Sequence, residues 1–131
     1  MSARLKKRVL LVDDDEQVLE GTQAALEAHG YEVLIANDGT EGLIRAERDA
    51  PDLIILDVLM PRRSGFGVLE KLCCTPNRGP RIIVTTANDE PKYREFAKSK
   101  GADAFLRKPY DMEELLATMA TLLGTSKSAS S

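Results

Sequence analysis

RVLLVDDD, residues 8–15, is the stretch that decides the fold. From Arg8 to Val12 it is one apolar run, and it stops abruptly at Asp13, Asp14 and Asp15. A short run without polar alternation reads as a strand buried on both faces. The same pattern returns at Tyr31–Ala36 (YEVLIA), Leu53–Leu56 (LIIL), Arg81–Thr85 (RIIVT) and, more briefly, Ala104–Leu106. Helical spacing fills the gaps. Between Glu16 and His29 the positions Val18, Leu19, Thr22, Ala25, Leu26 and Ala28 recur on one face, and Gly30 follows as a stop. Further helices are expected over Thr40–Arg48, Phe66–Cys73 and Glu90–Lys100, and from an Asp111 N-cap to Leu123. Strands separated by helices run parallel, joined by right-handed crossovers. Five such units are too few to close an eight-stranded barrel, so the chain is α/β with an open, doubly wound, five-stranded parallel sheet.

Composition bounds what such a domain can do. The 131 residues suit a single domain, and 18 Lys+Arg against 21 Asp+Glu leave a formal charge of −3. With no basic block beyond Lys6-Lys7-Arg8, direct binding of nucleic acid is not expected. No apolar run approaches the roughly 20 residues that span a bilayer, and no signal-peptide core opens the chain. Cys73 and Cys74 are adjacent, which suits reduced thiols better than a disulfide or a zinc set, and points to the cytoplasm. The expected organisation is a flexible N-terminus at 1–7, one domain at 8–123, and a polar tail or start of a linker at 124–131. No output segment is recognisable after Leu123.

In open α/β sheets the site lies beyond the carboxyl ends of the strands, where strand order reverses. The polar residues at those ends are Asp13-Asp14-Asp15 after the first strand, Asp57 after the third, Thr85-Thr86 after the fourth and Lys108 after the fifth. In the flavodoxin-like order 2-1-3-4-5 the first and third strands are neighbours, which sets Asp57 beside the aspartate triplet. Two carboxylates about 4 Å apart repel by about 4 kcal/mol at an effective dielectric of about 20. A hard divalent cation relieves that repulsion, and Mg²⁺ suits one or two carboxylates completed by water and phosphate. Lys108 brings a second positive charge to the same place. Cation and ammonium around one carboxylate make a receptor for a transferring phosphoryl group, with Asp57 as the accepting nucleophile.

These residues resemble the receiver domain of two-component response regulators, the CheY-like family. The likeness covers about residues 8–123 and rests on VLLVDDD (9–15), LIILDVLMPRRSG (53–65), VTTA (84–87) and DAFLRKPY (103–110), in that order on successive strand ends. It implies that Asp57 is the phosphoacceptor and that Asp14 coordinates Mg²⁺ directly, with Asp13 acting through water or hydrogen bonds. It further implies a metal contact from the Leu59 backbone carbonyl. Thr86 would bond a phosphoryl oxygen, joined by the Ala87 backbone amide, and Lys108 would pair with the phosphoryl group. Pro109 follows a bond often cis in the family, and Phe105 takes the place of the switch aromatic. Two positions depart from the commoner pattern. Phe105 lacks the tyrosine hydroxyl usual there, and Leu59, which with Asn88 sits where the family tunes phosphate lifetime, cannot orient a hydrolytic water, so slow dephosphorylation is implied. The implied partners are a sensor histidine kinase or histidine phosphotransfer protein and a downstream effector, engaged through a face built from the fourth helix, fifth strand and fifth helix. Many such domains dimerise through that face when phosphorylated, so a phosphorylation-dependent homodimer is carried as an expectation. The output is binding, so the domain is not expected to be an enzyme beyond its own phosphotransfer and dephosphorylation.

Other readings are weaker. Asp13-x-Asp15 resembles the nucleophile and acid of haloacid-dehalogenase-type phosphatases, but Gln17 stands where that family carries threonine or valine. A docking module that binds without phosphorylation would typically have lost the acceptor, an acidic residue or the lysine, and all are kept. Asp15 is read as a helix cap, Thr85 as a half-buried strand residue, and His29 as a cation at a helix C-terminus. Phe96 is assigned to the core, Tyr93 and Tyr110 are left between core and docking face, and Arg62-Arg63 is read as a solvated pair.

Overall fold

A computed structural model of the chain describes residues 6–58, 65–72, 79–87 and 90–124. Its centre is the strand with no polar side chain before its last residue. Leu53–Asp57 (β3) is buried along its whole length, flanked by β1 (Arg8–Val12) and β4 (Arg81–Thr86). Beyond them lie β2 (Glu32–Ala36) and β5 (Ala104–Arg107), which gives a five-stranded, all-parallel sheet in the order β2-β1-β3-β4-β5. The expected order is therefore the observed one. Helices α1 (Glu16–Ala28), α2 (Gly39–Asp49), α3 (Gly65–Leu72), α4 (Pro91–Ser99) and α5 (Met112–Leu123) connect the strands.

Strand alternation sends successive side chains to opposite faces, and the core divides accordingly. Leu10, Val12, Ile54, Leu56, Ile82 and Val84 face α2, α3 and α4, meeting Leu43, Val68, Leu69 and Ala97. Val9, Leu11, Leu53, Ile55, Ile83 and Leu106 face α1 and α5, meeting Leu19, Leu26, Leu115 and Met119. Burying β3 between two helical layers is what its unbroken apolar run requires.

Three aspartates start helices. Asp15 accepts from the amides of Gln17 and Val18, Asp38 from Glu41 at 2.8 Å, and Asp111 from Glu113 at 3.1 Å, each satisfying an amide that the first turn leaves without a partner. Helix α2 ends at Ala50, whose φ of 48° is left-handed, and Pro51 follows it. Strands β3, β4 and β5 each run one residue past the apolar stretch, through Asp57, Thr86 and Arg107, because ladder pairing engages the backbone and is indifferent to side-chain polarity. Phe96 corrects the sequence reading: at 42% exposure it is not a core residue, and α4 fixes itself to the sheet side through buried Ala97 instead. Thr85 is fully rather than half buried. His29 does close α1, its Nδ1 donating to the carbonyl of Ala25 at 2.9 Å. Arg62, Arg63, Cys73 and Cys74 lie outside the described residues, as do 1–5 and the tail from 125.

One close approach ties a helix to the strand that carries the aspartates. A Cβ built on Gly42 of α2 would meet Cγ2 and Cγ1 of Val12 at 3.0 and 3.1 Å, and Val12 is 1% exposed. Gly42→Val is expected to lower stability by about 2 kcal/mol through overpacking, as read by urea unfolding, with the slope of the transition unchanged.

Candidate functional site

The site is assembled at the carboxyl edge of the sheet. β1 and β3 are hydrogen-bonded neighbours in register from Val9↔Leu53 to Val12↔Leu56, so Asp13 and Asp57 emerge side by side. Both are nearly sealed from solvent, at 5% and 4% exposure, while Asp14 is exposed. The carboxylate oxygens of Asp13, Asp14 and Asp57 lie within 4.8 Å of one another. Lys108 answers them. Its backbone amide donates to the Thr86 carbonyl at 2.8 Å, which anchors the turn leaving β5 to the end of β4. From there its Nζ donates to Asp13 Oδ2 at 2.9 Å and to Asp57 Oδ2 at 3.3 Å. The Lys108–Pro109 bond is cis.

Asp13 is held through both of its carboxylate oxygens. Besides Lys108 on Oδ2 it accepts the Asp15 amide on Oδ1 at 2.9 Å. Asp15 therefore caps α1 with its side chain and braces Asp13 with its backbone, a second role its position alone did not suggest. Burial holds the Asp13 carboxyl above the ordinary carboxylate range; the Asp15 amide and Lys108 oppose that, and the nearby charge of Asp57 adds to it. For Lys108 burial works against the charged form, but the hydrogen bond to Asp13 and the charges of Asp57 and Asp13 outweigh it, so its pKa is raised. The ammonium is thus the internal counter-charge of a buried acidic pair.

The remaining expected residues fall in two groups. Thr86 ends β4, fully buried, on the sheet face that also carries Val84. Ala87 follows in an exposed bend at the mouth of the site. Phe105 is not at the site: it pairs with Val84 in register and packs, half-buried, into the layer under α4. Leu59 and Asn88 lie outside the described residues. Tyr110 belongs to neither group. Its hydroxyl hydrogen-bonds Thr22 Oγ1 at 2.9 Å and its ring packs on the α1/α5 layer, so it is not on the face formed with α4. The signal available in the sequence was Thr22, a polar residue on the otherwise apolar stripe of α1.

Three clustered carboxylates supply hard oxygen donors of the type that Mg²⁺ prefers, and a buried pair left with one ammonium still carries net negative charge. The donor set fits a divalent cation. Burial makes the charged form of Asp13 costlier than it is in water, and a bound cation would offset that cost. Relative to the unfolded value of 3.8, the raised pKa means that this group's contribution to stability is full below that value and is lost as pH rises through the folded-state value. In metal-free solution Asp13→Asn should therefore gain stability relative to the wild type as pH rises from acid toward neutrality. Thermal unfolding across pH in the presence of a chelator checks this.

Known proteins share this fold. The family described as the response regulator receiver domain matches residues 9–120. A response regulator, MprA, of Mycobacterium leprae is 44% identical over 120 residues, covering 92% of this chain and 52% of that protein. The chain thus spans about half the length of the curated relatives it matches. Among solved structures, a CheY-like response regulator receiver domain protein from Methanospirillum hungatei superposes with a TM-score of 0.85 at 35% identity, covering 91% of this chain and 94% of that one. The chemotaxis response regulator CheY4 of Vibrio cholerae gives 0.83 at 33% identity, covering 90% and 99%.

Proposed function

The chain belongs to the response regulator receiver domain family, and on that premise we propose that Asp57 is the phosphoacceptor of a two-component signalling switch. The observation that carries the proposal is Lys108 Nζ donating to both Asp13 and Asp57 at the edge of the sheet. Such an ammonium marks where a doubly charged group on Asp57 would be neutralised. An Asp57 oxygen attacks the phosphorus of a partner's phosphohistidine; the P–N bond breaks, its electron pair stays on the imidazole nitrogen, and a proton from solvent restores the neutral ring. An acyl phosphate remains on Asp57.

Bound Mg²⁺ would supply electrostatic stabilisation of the phosphoryl oxygens. Asp14 and Asp57 would hold it directly, with the Leu59 carbonyl as the family resemblance implies. Asp13 has both oxygens engaged by Asp15 and Lys108, which suits a role through water. Lys108 exchanges its bond to Asp57 for one to the phosphoryl group, Thr86 offers its hydroxyl, and Ala87 its backbone amide. Thr86 and Phe105 share the sheet face beneath α4, so displacement of Thr86 toward the phosphoryl group is read there by the Phe105 ring. The face of α4, β5 and α5 then changes its affinity for a downstream effector or for a second phosphorylated copy. The donor is a sensor histidine kinase or a histidine phosphotransfer protein, and the setting is the cytoplasm. Among the described residues no helix is long and apolar enough to cross a membrane. Residues 8–123 constitute the receiver domain, with 1–7 and 124–131 as its flanks. Its only chemistry is phosphorylation and slow dephosphorylation of itself.

Intact mass after incubation with a small-molecule phosphodonor tests the proposal. The wild type should gain one phosphoryl group with Mg²⁺ present and little or none with chelator, and Asp57→Asn should gain none. An adduct that persists in Asp57→Asn, or no adduct on the wild type, would refute it.

A further inference from the structure

Arg94, in the middle of α4, holds its guanidinium over the ring of Phe105 at 4.6 Å from the centroid. Arg94 is exposed, and among the described residues no carboxylate pairs with it. The contact its guanidinium makes is with the aromatic ring. Phe105 is half-buried on edge strand β5, opposite Val84 and against the layer that contains Ala97. The ring thus packs against the sheet layer while the cation meets it from α4. With no hydroxyl on Phe105, its position is set by packing and by this electrostatic contact with the ring face.

From this placement we infer that Arg94 is a positioning residue of the switch, a clamp that holds Phe105 in the conformation belonging to the unphosphorylated domain. The inference rests on the proposed function, in which Thr86 and Phe105 respond to a phosphoryl group on Asp57. Thr86 lies two residues past Val84, on the same sheet face as Phe105. If Thr86 is drawn toward Asp57, the ring can follow only by leaving the guanidinium or pulling α4 with it. Ala97 is the fully buried side chain of α4, and the Arg94–Phe105 contact is a second tie between this helix and β5. Coupling between two places in a molecule is reciprocal: a contact that favours the unoccupied state must weaken binding at the site by the same factor. A cation over a partly exposed aromatic ring corresponds to a factor of about two to five.

The test is binding of beryllofluoride, a stand-in for the phosphoryl group, at saturating Mg²⁺, to the wild type, Arg94→Met, Arg94→Lys, Phe105→Leu and the Arg94→Met/Phe105→Leu double variant. Arg94→Met should bind about two- to fivefold more tightly than the wild type, and Arg94→Lys should fall between them. In the Phe105→Leu background, which measures what loss of the positive charge does by itself, Arg94→Met should bring no tightening. Equal or weaker binding by Arg94→Met, or the same tightening with and without the ring, overturns the clamp. If the wild type binds through Asp57 while Arg94→Met shows no change, the clamp fails and the phosphoacceptor reading survives; if the wild type binds no beryllofluoride, both fail. Both Arg94 substitutions are at an exposed position, and an unaltered circular dichroism spectrum verifies that the variants are folded.

Discussion

Two carboxylates and one ammonium buried together at the edge of a sheet impose the conditions that the rest of the molecule meets. Asp13 and Asp57 are both within about a tenth of full burial, and like charges so placed repel unless something between them is positive. Lys108 fills that role only because its own backbone is pinned to the end of β4 through the Thr86 carbonyl. The site is therefore a property of three strand ends at once. No single element contains it, and a shift in the register of β1 against β3, or of β4 against β5, would dissolve it. Sheet order, apolar strands and helix caps all serve to keep those ends level.

Much of this was legible in the residues, and for a physical reason. Strands buried on both faces must be apolar throughout, so the places where they stop are marked sharply by Asp13, Asp57 and Lys108. Parallel connection and the sheet order then bring those stops together. What escaped the sequence depends on facing partners rather than on position along the chain. The Asp15 amide that braces Asp13 is a backbone donor with no signature. Tyr110 stays undecided in the sequence because its partner, Thr22, lies on a helix 88 residues earlier. Phe96 looked like core because aromatics usually are, but the buried position on α4 is its neighbour Ala97. Leu59 and Asn88 remain readings of the family resemblance.

The family places this domain among signalling proteins whose matched members are about twice its length, and the architecture fits a component that changes shape more than it turns over substrate. Its acidic pair and the counter-charge between them are buried and tied to three strand ends. The parts suited to respond are lighter: Phe105 sits at an edge strand, and α4 is a short helix with one buried side chain. On the proposed function, a charge change at the buried rim would be read at this lighter seam.

The division of the core has a wider meaning. Because β3 carries no polar side chain before Asp57, the sheet acts as a partition between two apolar compartments that communicate mainly at its polar rim. Energetic perturbations confined to opposite compartments, such as Leu26 on one side and Leu69 on the other, should combine additively, as distant and unconnected residues do. Non-additivity should be concentrated at the rim, where Asp13, Asp57, Thr86 and Lys108 share partners. For a lineage of such domains this is a licence to drift. Each helical layer can change its packing, and with it the partner it suits, without renegotiating the other layer, so long as the rim keeps its charges in place.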